Sequence, residues 1–221
     1  MRCRTLGHRS NTAAIPLIAP AARSLILVID IQNDFFSPEG ALYAAGGVSA
    51  ALEAILPSLS NFLNQARSLS VRVAFTQHVH DPEARSDLAK RLHHLRYESQ
   101  GFPVAGSWGA RFCPTIEPEP CEPVILKHQY SAFSAPALAE LVATAQSEAI
   151  VIVGGLTNVC VESTARAAEE RGLAAVVVAD CVASNDFELH RASLKNIENY
   201  FGWVCTSNEL LDAWGARCFV S

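Results

Sequence analysis

The sequence predicts a single doubly wound α/β domain, in which helices cover both faces of a six-stranded, mainly parallel sheet. Three observations lead to this prediction. Segments with strand character alternate along the chain with segments of helical spacing. Several strand segments are continuous apolar runs, as expected where both faces of a sheet are buried. The 221 residues, of which 50% are hydrophobic, are enough for one well-buried core.

Residues 1–23 differ in composition from the rest of the chain. They contain four arginines, and the first carboxylate of the sequence is Asp30. Pro16 and Pro20 make the segment a poor amphipathic helix, and it lacks the apolar run of a secretion signal. We therefore predict a flexible N-terminal extension over residues 1–23 and a domain over residues 24–221. An organelle transit peptide is the alternative for this extension.

The first half of the chain contains two predicted strands and one long helical segment. Residues 25–29 form an apolar run that ends at Asp30. Residues 48–68 have apolar side chains at helical spacing, and Pro57 should bend or split this helix. The second strand covers residues 71–76. Residues 82–121 are the least regular part, with one short helical piece at 84–94, and long loops of this kind often form lids or pocket walls.

The second half of the chain repeats the alternation of strand and helix. Strands are predicted at residues 123–127, 149–153, 174–179 and 202–204, and helices at residues 136–146, 159–171, 188–201 and 208–214. Two glycines separate the strand at 149–153 from the helix that follows. Thr157 or Asn158 offers an N-cap for that helix.

Cys160 falls in the first turn of this helix, directly after a strand. Unpaired backbone N–H groups and the positive end of the helix dipole lie there, and both favour a thiolate over a thiol. The preceding glycines allow backbone conformations that leave amide N–H groups facing a developing oxyanion. These features are typical of a nucleophile. The alternative is that Cys160 is a small hydrophobic residue packed beneath the helix.

Polar residues stand at the carboxyl ends of several predicted strands, where ligands bind in such sheets. They are Asp30, His78, Lys127 and Cys160. Taken singly, a strand-end aspartate caps a turn and a strand-end lysine points to solvent. Together they supply a base for the thiol proton and a cation that stabilises the thiolate. The sequence therefore predicts a site for acyl transfer at this edge of the sheet.

Composition excludes several other classes of protein. The net charge of −5 leaves no basic surface for nucleic acid. No apolar run reaches the roughly 18–20 residues that span a bilayer. The seven cysteines form no CxxC pair and have no regular spacing, which indicates a reducing compartment and a cytoplasmic protein.

Three motifs resemble the isochorismatase-like cysteine hydrolases. They are residues 27–35 around Asp30, the strand that ends in Lys127, and residues 154–166 around Cys160. The resemblance runs from about Leu25 to the C-terminus. It implies an Asp30–Lys127–Cys160 triad and a cis peptide bond between Gly155 and Leu156. It also implies an oxyanion hole made by the backbone N–H groups of Leu156 and Cys160.

Within this family, four local stretches are similar to the branch that hydrolyses ureidoacrylate: residues 106–108, 127–133, 157–164 and 196–203. The resemblance implies that a small N-carbamoyl, ureido or amide compound, such as ureidoacrylate, biuret or N-carbamoylsarcosine, is cleaved through a thioester. His78 and His80 depart from that branch, which has an asparagine and a tryptophan there.

We expect four side chains to line the substrate pocket: Phe35, His78, Trp108 and Tyr130. We also expect a homo-oligomer, either a dimer or a tetramer.

Two alternatives remain at this point. Nicotinamidases of the same family bind a metal through an Asp-x-His pair and further histidines, and His78 and His80 suggest such a site. The segment after Gly40 contains no Asp-x-His, so we expect no metal and no other cofactor. The second alternative is a non-catalytic binding protein on the same fold. The presence of all three triad residues at strand ends argues against it.

Overall fold

The strands form one sheet of six parallel strands in the order β3-β2-β1-β4-β5-β6. The structure is a computed structural model that describes residues 14–44, 50–80 and 103–215. The strands are β1 (Ser24–Ile29), β2 (Arg72–His78), β3 (Val124–Lys127), β4 (Ala149–Gly155), β5 (Ala174–Ala183) and β6 (Trp203–Cys205). The predicted doubly wound α/β sheet is therefore confirmed.

Helices cover both faces of the sheet. They are α1 (Ile15–Ile18), α2 (Asn33–Phe36), α3 (Ala41–Ala44), α4 (Ala50–Glu53), α5 (Leu56–Ser68), α6 (Pro136–Thr144), α7 (Glu162–Glu169), α8 (Phe187–Asn196) and α9 (Ser207–Gly215). Pro57 lies in the first turn of α5, where a proline needs no hydrogen bond, and so it separates α4 from α5 as predicted. In the described residues, no helix is long and apolar enough to cross a membrane.

Alternate residues of β1 contribute to two separate hydrophobic cores. Leu25, Leu27 and Ile29 pack in one core with residues of α6 and α7. Ile26 and Val28 pack in the other core with residues of α5 and α9. All five side chains are buried. This explains why residues 25–29 form a continuous apolar run, since a strand covered on both faces buries every side chain.

Gly154 lets the central strands β1 and β4 approach each other at their carboxyl ends. Its φ is +105°, and a Cβ atom there would lie 2.2 Å from the carbonyl oxygen of Ile29. Only glycine fits both conditions. The strands β1 and β4, which precede Asp30 and Cys160 in the chain, can therefore lie side by side at their carboxyl ends.

Residues 14–23 differ from the predicted flexible extension. Ile15 and Ala19 are buried, and the Ala19 carbonyl accepts a hydrogen bond from Nε1 of Trp214 in α9 at 2.8 Å. Burial of apolar side chains explains why this segment packs on the domain rather than moving freely. The rest of the predicted extension, residues 1–13, lies outside the described residues. So does the helical piece predicted at 84–94.

Two further differences lie near the end of the sheet. β5 extends to Ala183, beyond the predicted end at residue 179, because its register with β4 shifts and pairing resumes at Val182 and Ala183. The predicted helix from residue 159 begins instead as a π-helical turn over Thr157–Val161, followed by α7. Neither Thr157 nor Asn158 is its N-cap. That position is held by Leu156, which makes no side-chain capping bond.

Candidate active site

The strand-end residues meet where the order of the sheet reverses. The chain leaves β1 in one direction towards β2 and β3 and returns to β4 on the other side of β1. Connections of this kind open a crevice between the carboxyl ends of the two central strands, which is where ligands bind. Asp30 follows β1, and the turn that contains Cys160 follows β4.

Lys127 links the carboxylate to the thiol. Its Nζ lies 2.7 Å from Oδ2 of Asp30 and 3.5 Å from Sγ of Cys160. The side chains of Lys127 and Asp30 are 0% and 1% exposed. Burying an ammonium and a carboxylate costs free energy, because both ions lose their water. Their attraction offsets this cost only when they lie close together, as these two do. The structure therefore brings together the three residues that the sequence singled out.

Two further groups lie close to the Lys127 ammonium. Its Nζ donates to the carbonyl oxygen of Gln129 at 3.1 Å, and Nδ1 of His78 lies 3.3 Å from Nζ. The tautomer of the imidazole decides whether Nδ1 accepts a hydrogen bond from the ammonium. Polar groups therefore surround Nζ in addition to Asp30 and Cys160.

Burial controls the protonation of Cys160. It raises the pKa of Cys160 to about 12, against the opposing effect of the Lys127 ammonium and with an added contribution from Asp30. Desolvation therefore opposes the thiolate that the helix end and the cation favour, and its effect on the pKa of Cys160 is the largest. Burial alone would lower the pKa of Lys127, but Asp30 and Cys160 outweigh it and the pKa of Lys127 is raised.

Asp30 is held by a residue that the sequence analysis missed. Oγ1 of Thr76, inside β2, donates to Oδ1 of Asp30 at 2.6 Å and accepts from the Asp30 backbone N–H at 3.2 Å. Asp30 has a φ of +50°, a left-handed conformation that aspartate tolerates better than most residues. Thr76 therefore fixes both the backbone and the carboxylate of Asp30. The signal was a polar residue directly after the apolar run at residues 73–75 of β2.

Gln32 is a second residue that the sequence analysis missed. Its Nε2 donates to the carbonyl oxygens of His78 and Ala110, and its Oε1 accepts from the His78 backbone N–H at 2.8 Å. The side chain is fully buried. Gln32 thereby ties the end of β2 and the loop at Ala110 to the segment that follows Asp30.

The turn that carries Cys160 starts at a cis peptide bond between Gly155 and Leu156. The Leu156 carbonyl accepts hydrogen bonds from the backbone N–H groups of Val159 at 3.1 Å and Val161 at 3.2 Å. These bonds curl the chain back on itself. The backbone N–H groups of Leu156 and Cys160, which the resemblance assigns to an oxyanion hole, therefore belong to one tight turn.

The predicted pocket residues are placed differently from one another. His78 is buried against Lys127, and the ring of Phe35 lies 6.4 Å from the His78 ring. Trp108 is 44% exposed, and its carbonyl oxygen accepts from Nδ2 of Asn33 at 3.0 Å. Tyr130 is half-buried and packs against the core formed with α6 and α7. His78 therefore lies beside Lys127, and Phe35 lies next to His78. A pocket role for all four residues stays a prediction.

Within residues 14–44, 50–80 and 103–215, no group of three or more His, Cys, Asp or Glu side chains is arranged to hold a metal ion. The His80 backbone N–H donates to the carbonyl oxygen of Pro103 at 2.8 Å, and Asp81 lies outside these ranges. The expectation that the protein uses no metal or cofactor stays a prediction.

Comparison with known proteins gives consistent matches. The isochorismatase domain matches residues 24–209. A ureidoacrylate amidohydrolase from Methylobacterium radiotolerans is 31% identical over 202 residues, which cover 86% of this chain and 78% of the relative. A cysteine hydrolase from Pseudomonas syringae superposes with a TM-score of 0.79 at 21% identity, covering 90% of this chain and 95% of that one. An isochorismatase-like hydrolase from Alkaliphilus metalliredigens gives a TM-score of 0.73 at 26% identity, covering 89% and 97%.

Proposed function

Because this chain belongs to the isochorismatase domain family, we propose that it is a cysteine amidohydrolase that cleaves a carbon–nitrogen bond in a small ureido or amide compound. The observation that carries the proposal is the buried Lys127 ammonium, which lies within 2.7 Å of a carboxylate oxygen of Asp30 and 3.5 Å of the Cys160 sulfur. A thiol with a base and a cation beside it is the arrangement that acyl transfer needs.

The first half of the reaction forms a covalent bond to sulfur. Asp30 takes the thiol proton of Cys160 as the sulfur attacks the substrate carbonyl carbon. The carbonyl oxygen becomes an oxyanion that accepts hydrogen bonds from the N–H groups of Leu156 and Cys160. Lys127 stabilises the thiolate as it develops.

The second half of the reaction releases both products. Asp30 returns the proton to the substrate nitrogen, the carbon–nitrogen bond breaks, and a thioester remains on Cys160. Asp30 then removes a proton from a water molecule, whose oxygen attacks the thioester carbon. The carbon–sulfur bond breaks, the thiol regains its proton and the carboxylic or carbamic acid leaves. No oxidant, reductant or metal takes part in these steps.

The substrate class is supported by the ureidoacrylate amidohydrolase that is 31% identical to this chain. Such a substrate carries a planar urea group. Its carbonyl carbon is a weak electrophile, so attack needs the oxyanion donors, and its nitrogen can receive a proton on leaving. His78 lies against Lys127, and the Phe35 ring lies 6.4 Å from the His78 ring. We propose that these two side chains contact the part of the substrate next to the reacting carbonyl.

The proposal is tested by measuring ammonia release from a panel of ureidoacrylate, biuret, N-carbamoyl amino acids and nicotinamide. We expect at least one ureido or N-carbamoyl compound to be hydrolysed, and Cys160→Ala to abolish that activity. Cys121 is exposed, so Cys121→Ala is the matched control and should keep the wild-type rate. Activity of Cys160→Ala within about tenfold of wild type would contradict covalent catalysis, since losing a nucleophile costs far more. No turnover of any compound would favour a binding protein.

A further inference from the structure

Two side chains outside the triad are hydrogen-bonded to consecutive residues of the turn that carries Cys160. Nδ1 of His190 lies 2.9 Å from Oγ1 of Thr157. The hydroxyl of Ser184 donates to Oδ1 of Asn158. Thr157 is fully buried and Ser184 is 4% exposed, whereas His190 and Asn158 are half-buried. We refer to His190 and Ser184 as the turn clamp.

The fold explains why the turn clamp lies here. The ends of β4 and β5 pair, with Gly155 opposite Ala183, so the residue after β5 lies next to the turn that follows β4. Asp186 then caps α8 by accepting from the Leu189 N–H at 2.9 Å. The backbone N–H of His190 donates to the Asp186 carbonyl, which places the imidazole one turn into α8. The positions of both clamp residues are therefore set by β5 and α8, and not by the turn that carries Cys160 or by α7.

The clamped residues lie between the groups that are proposed to react. Leu156 comes directly before Thr157, and Cys160 comes two residues after Asn158. The π-helical turn over Thr157–Val161 has no side-chain cap of its own. A small rotation at Thr157 would move the Leu156 N–H relative to the sulfur, and oxyanion donors work only when they are held at the position that the oxyanion occupies.

We propose that His190 is a positioning residue for this hydrolysis, which with Ser184 holds the turn so that its amide N–H groups face the oxyanion. The inference rests on the proposed function, because it assigns a purpose to the same turn. Burial also lowers the pKa of His190, so the imidazole is uncharged at neutral pH. A neutral ring can donate to or accept from the Thr157 hydroxyl, and the hydrogen bond forms in either case.

The experiment removes each side of the His190–Thr157 hydrogen bond. His190→Ala and Thr157→Val should each lower kcat by about 10- to 100-fold, up to the effect of one misplaced oxyanion donor. KM should change by no more than about threefold, because donors aligned for the oxyanion act in the transition state. His190→Asn, whose amide can occupy the place of Nδ1, should recover most of kcat. Leu189→Ala, an exposed neighbour on α8, is the matched control and should keep the wild-type kcat.

A second readout separates positioning from general loosening of the site. In His190→Ala the iodoacetamide alkylation rate of Cys160 should match wild type, because the charges around the sulfur are unchanged. The double variant His190→Ala/Thr157→Val should have about the same kcat as the more impaired of the two single variants. This is expected when both substitutions remove the same interaction.

The proposal is overturned if kcat of His190→Ala stays within about twofold of wild type or if the two losses multiply, which would mean independent sites. A parallel change in the alkylation rate would also overturn it, since the clamp would then only support the fold. Cys160→Ala tests the underlying activity separately: if that variant keeps turning over, the proposed function fails whatever His190 does.

Discussion

At the scale of single residues, the protonation of Cys160 depends on three competing effects. Burial raises the pKa of Cys160, Asp30 raises it further and Lys127 lowers it. Burial is the largest of the three effects, so their sum raises the pKa of Cys160. Asp30 and Lys127 nevertheless act on the sulfur in opposite directions, and replacing each of them should reveal its own sign.

We expect Lys127→Met to slow alkylation of Cys160 by iodoacetamide and Asp30→Asn to accelerate it. Loss of the ammonium raises the pKa of Cys160, and loss of the carboxylate lowers it. A change of one pKa unit alters the thiolate fraction about tenfold between about pH 7 and pH 10. The rate is measured by mass spectrometry of the Cys160 peptide, with the exposed Cys121 as the internal control. Equal rates in all three proteins would mean that the residues are not electrostatically coupled.

Thr76 gives a second prediction at this scale. Thr76→Val keeps the shape of the side chain but removes the hydroxyl that donates to Oδ1 of Asp30. The carboxylate would lose a buried partner, and we expect kcat to fall by about 10-fold or more, since a net hydrogen bond to a charged group is worth about 1.5–3 kcal/mol. An unchanged kcat with a lowered melting temperature would assign Thr76 to stability alone.

At the scale of secondary structure elements, the strand ends could be predicted and the bonds between them could not. Apolar runs ending in Asp30 and Lys127 located two triad residues, because period and polarity are local properties of the sequence. The bonds made by Thr76 and Gln32 join residues 46 positions away along the chain, and spacing carries no information about such pairs. The π-helical turn was missed because its hydrogen bonds depend on the chain reversing at Leu156.

Gln32 allows the junction between these elements to be tested. Gln32→Leu removes the side-chain partner of the His78 N–H and carbonyl and leaves the Ala110 carbonyl with Gln77. Loss of a buried hydrogen-bond partner costs about 1–3 kcal/mol for each group left unsatisfied. We expect the free energy of unfolding to fall by about 2–4 kcal/mol in urea titration. Gln77→Leu is the control, because Gln77 makes one side-chain bond, also to Ala110, and is half-buried. Equal losses in the two variants would show that Gln32 is not the main tie.

At the scale of the whole molecule, the order of the sheet gathers four strand ends into one site. Asp30, His78, Lys127 and the turn after β4 come from segments far apart in sequence, and parallel strands place all their carboxyl ends on the same edge. The N-terminal residues 14–23 pack on α9 and add Ile15 and Ala19 to the core that contains α5 and α9. The expected homo-oligomer, a dimer or a tetramer, stays a prediction that sedimentation equilibrium would test.

Two truncated proteins measure how much residues 14–23 contribute to stability. The protein that lacks residues 1–13 serves as the reference. Deleting residues 1–23 removes buried Ile15 and Ala19 and the partner of the Trp214 indole. We expect the longer deletion to lower the free energy of unfolding by about 2–4 kcal/mol. Most of this comes from the buried Ile15 side chain and the hydrogen bond to Trp214. Equal stability of both truncated proteins would mean that residues 14–23 add nothing to the fold.

Direct detection of the thioester tests the covalent role of Cys160. The protein is mixed with a ureido or amide compound that it hydrolyses, quenched in acid during turnover, digested and analysed by mass spectrometry. We predict that the peptide containing Cys160 gains the mass of the substrate's acyl group, that this adduct decays as product appears, and that Cys160→Ala shows neither adduct nor turnover. Steady turnover by Cys160→Ala at a rate near that of wild type, with no adduct on any cysteine of either protein, would contradict the mechanism.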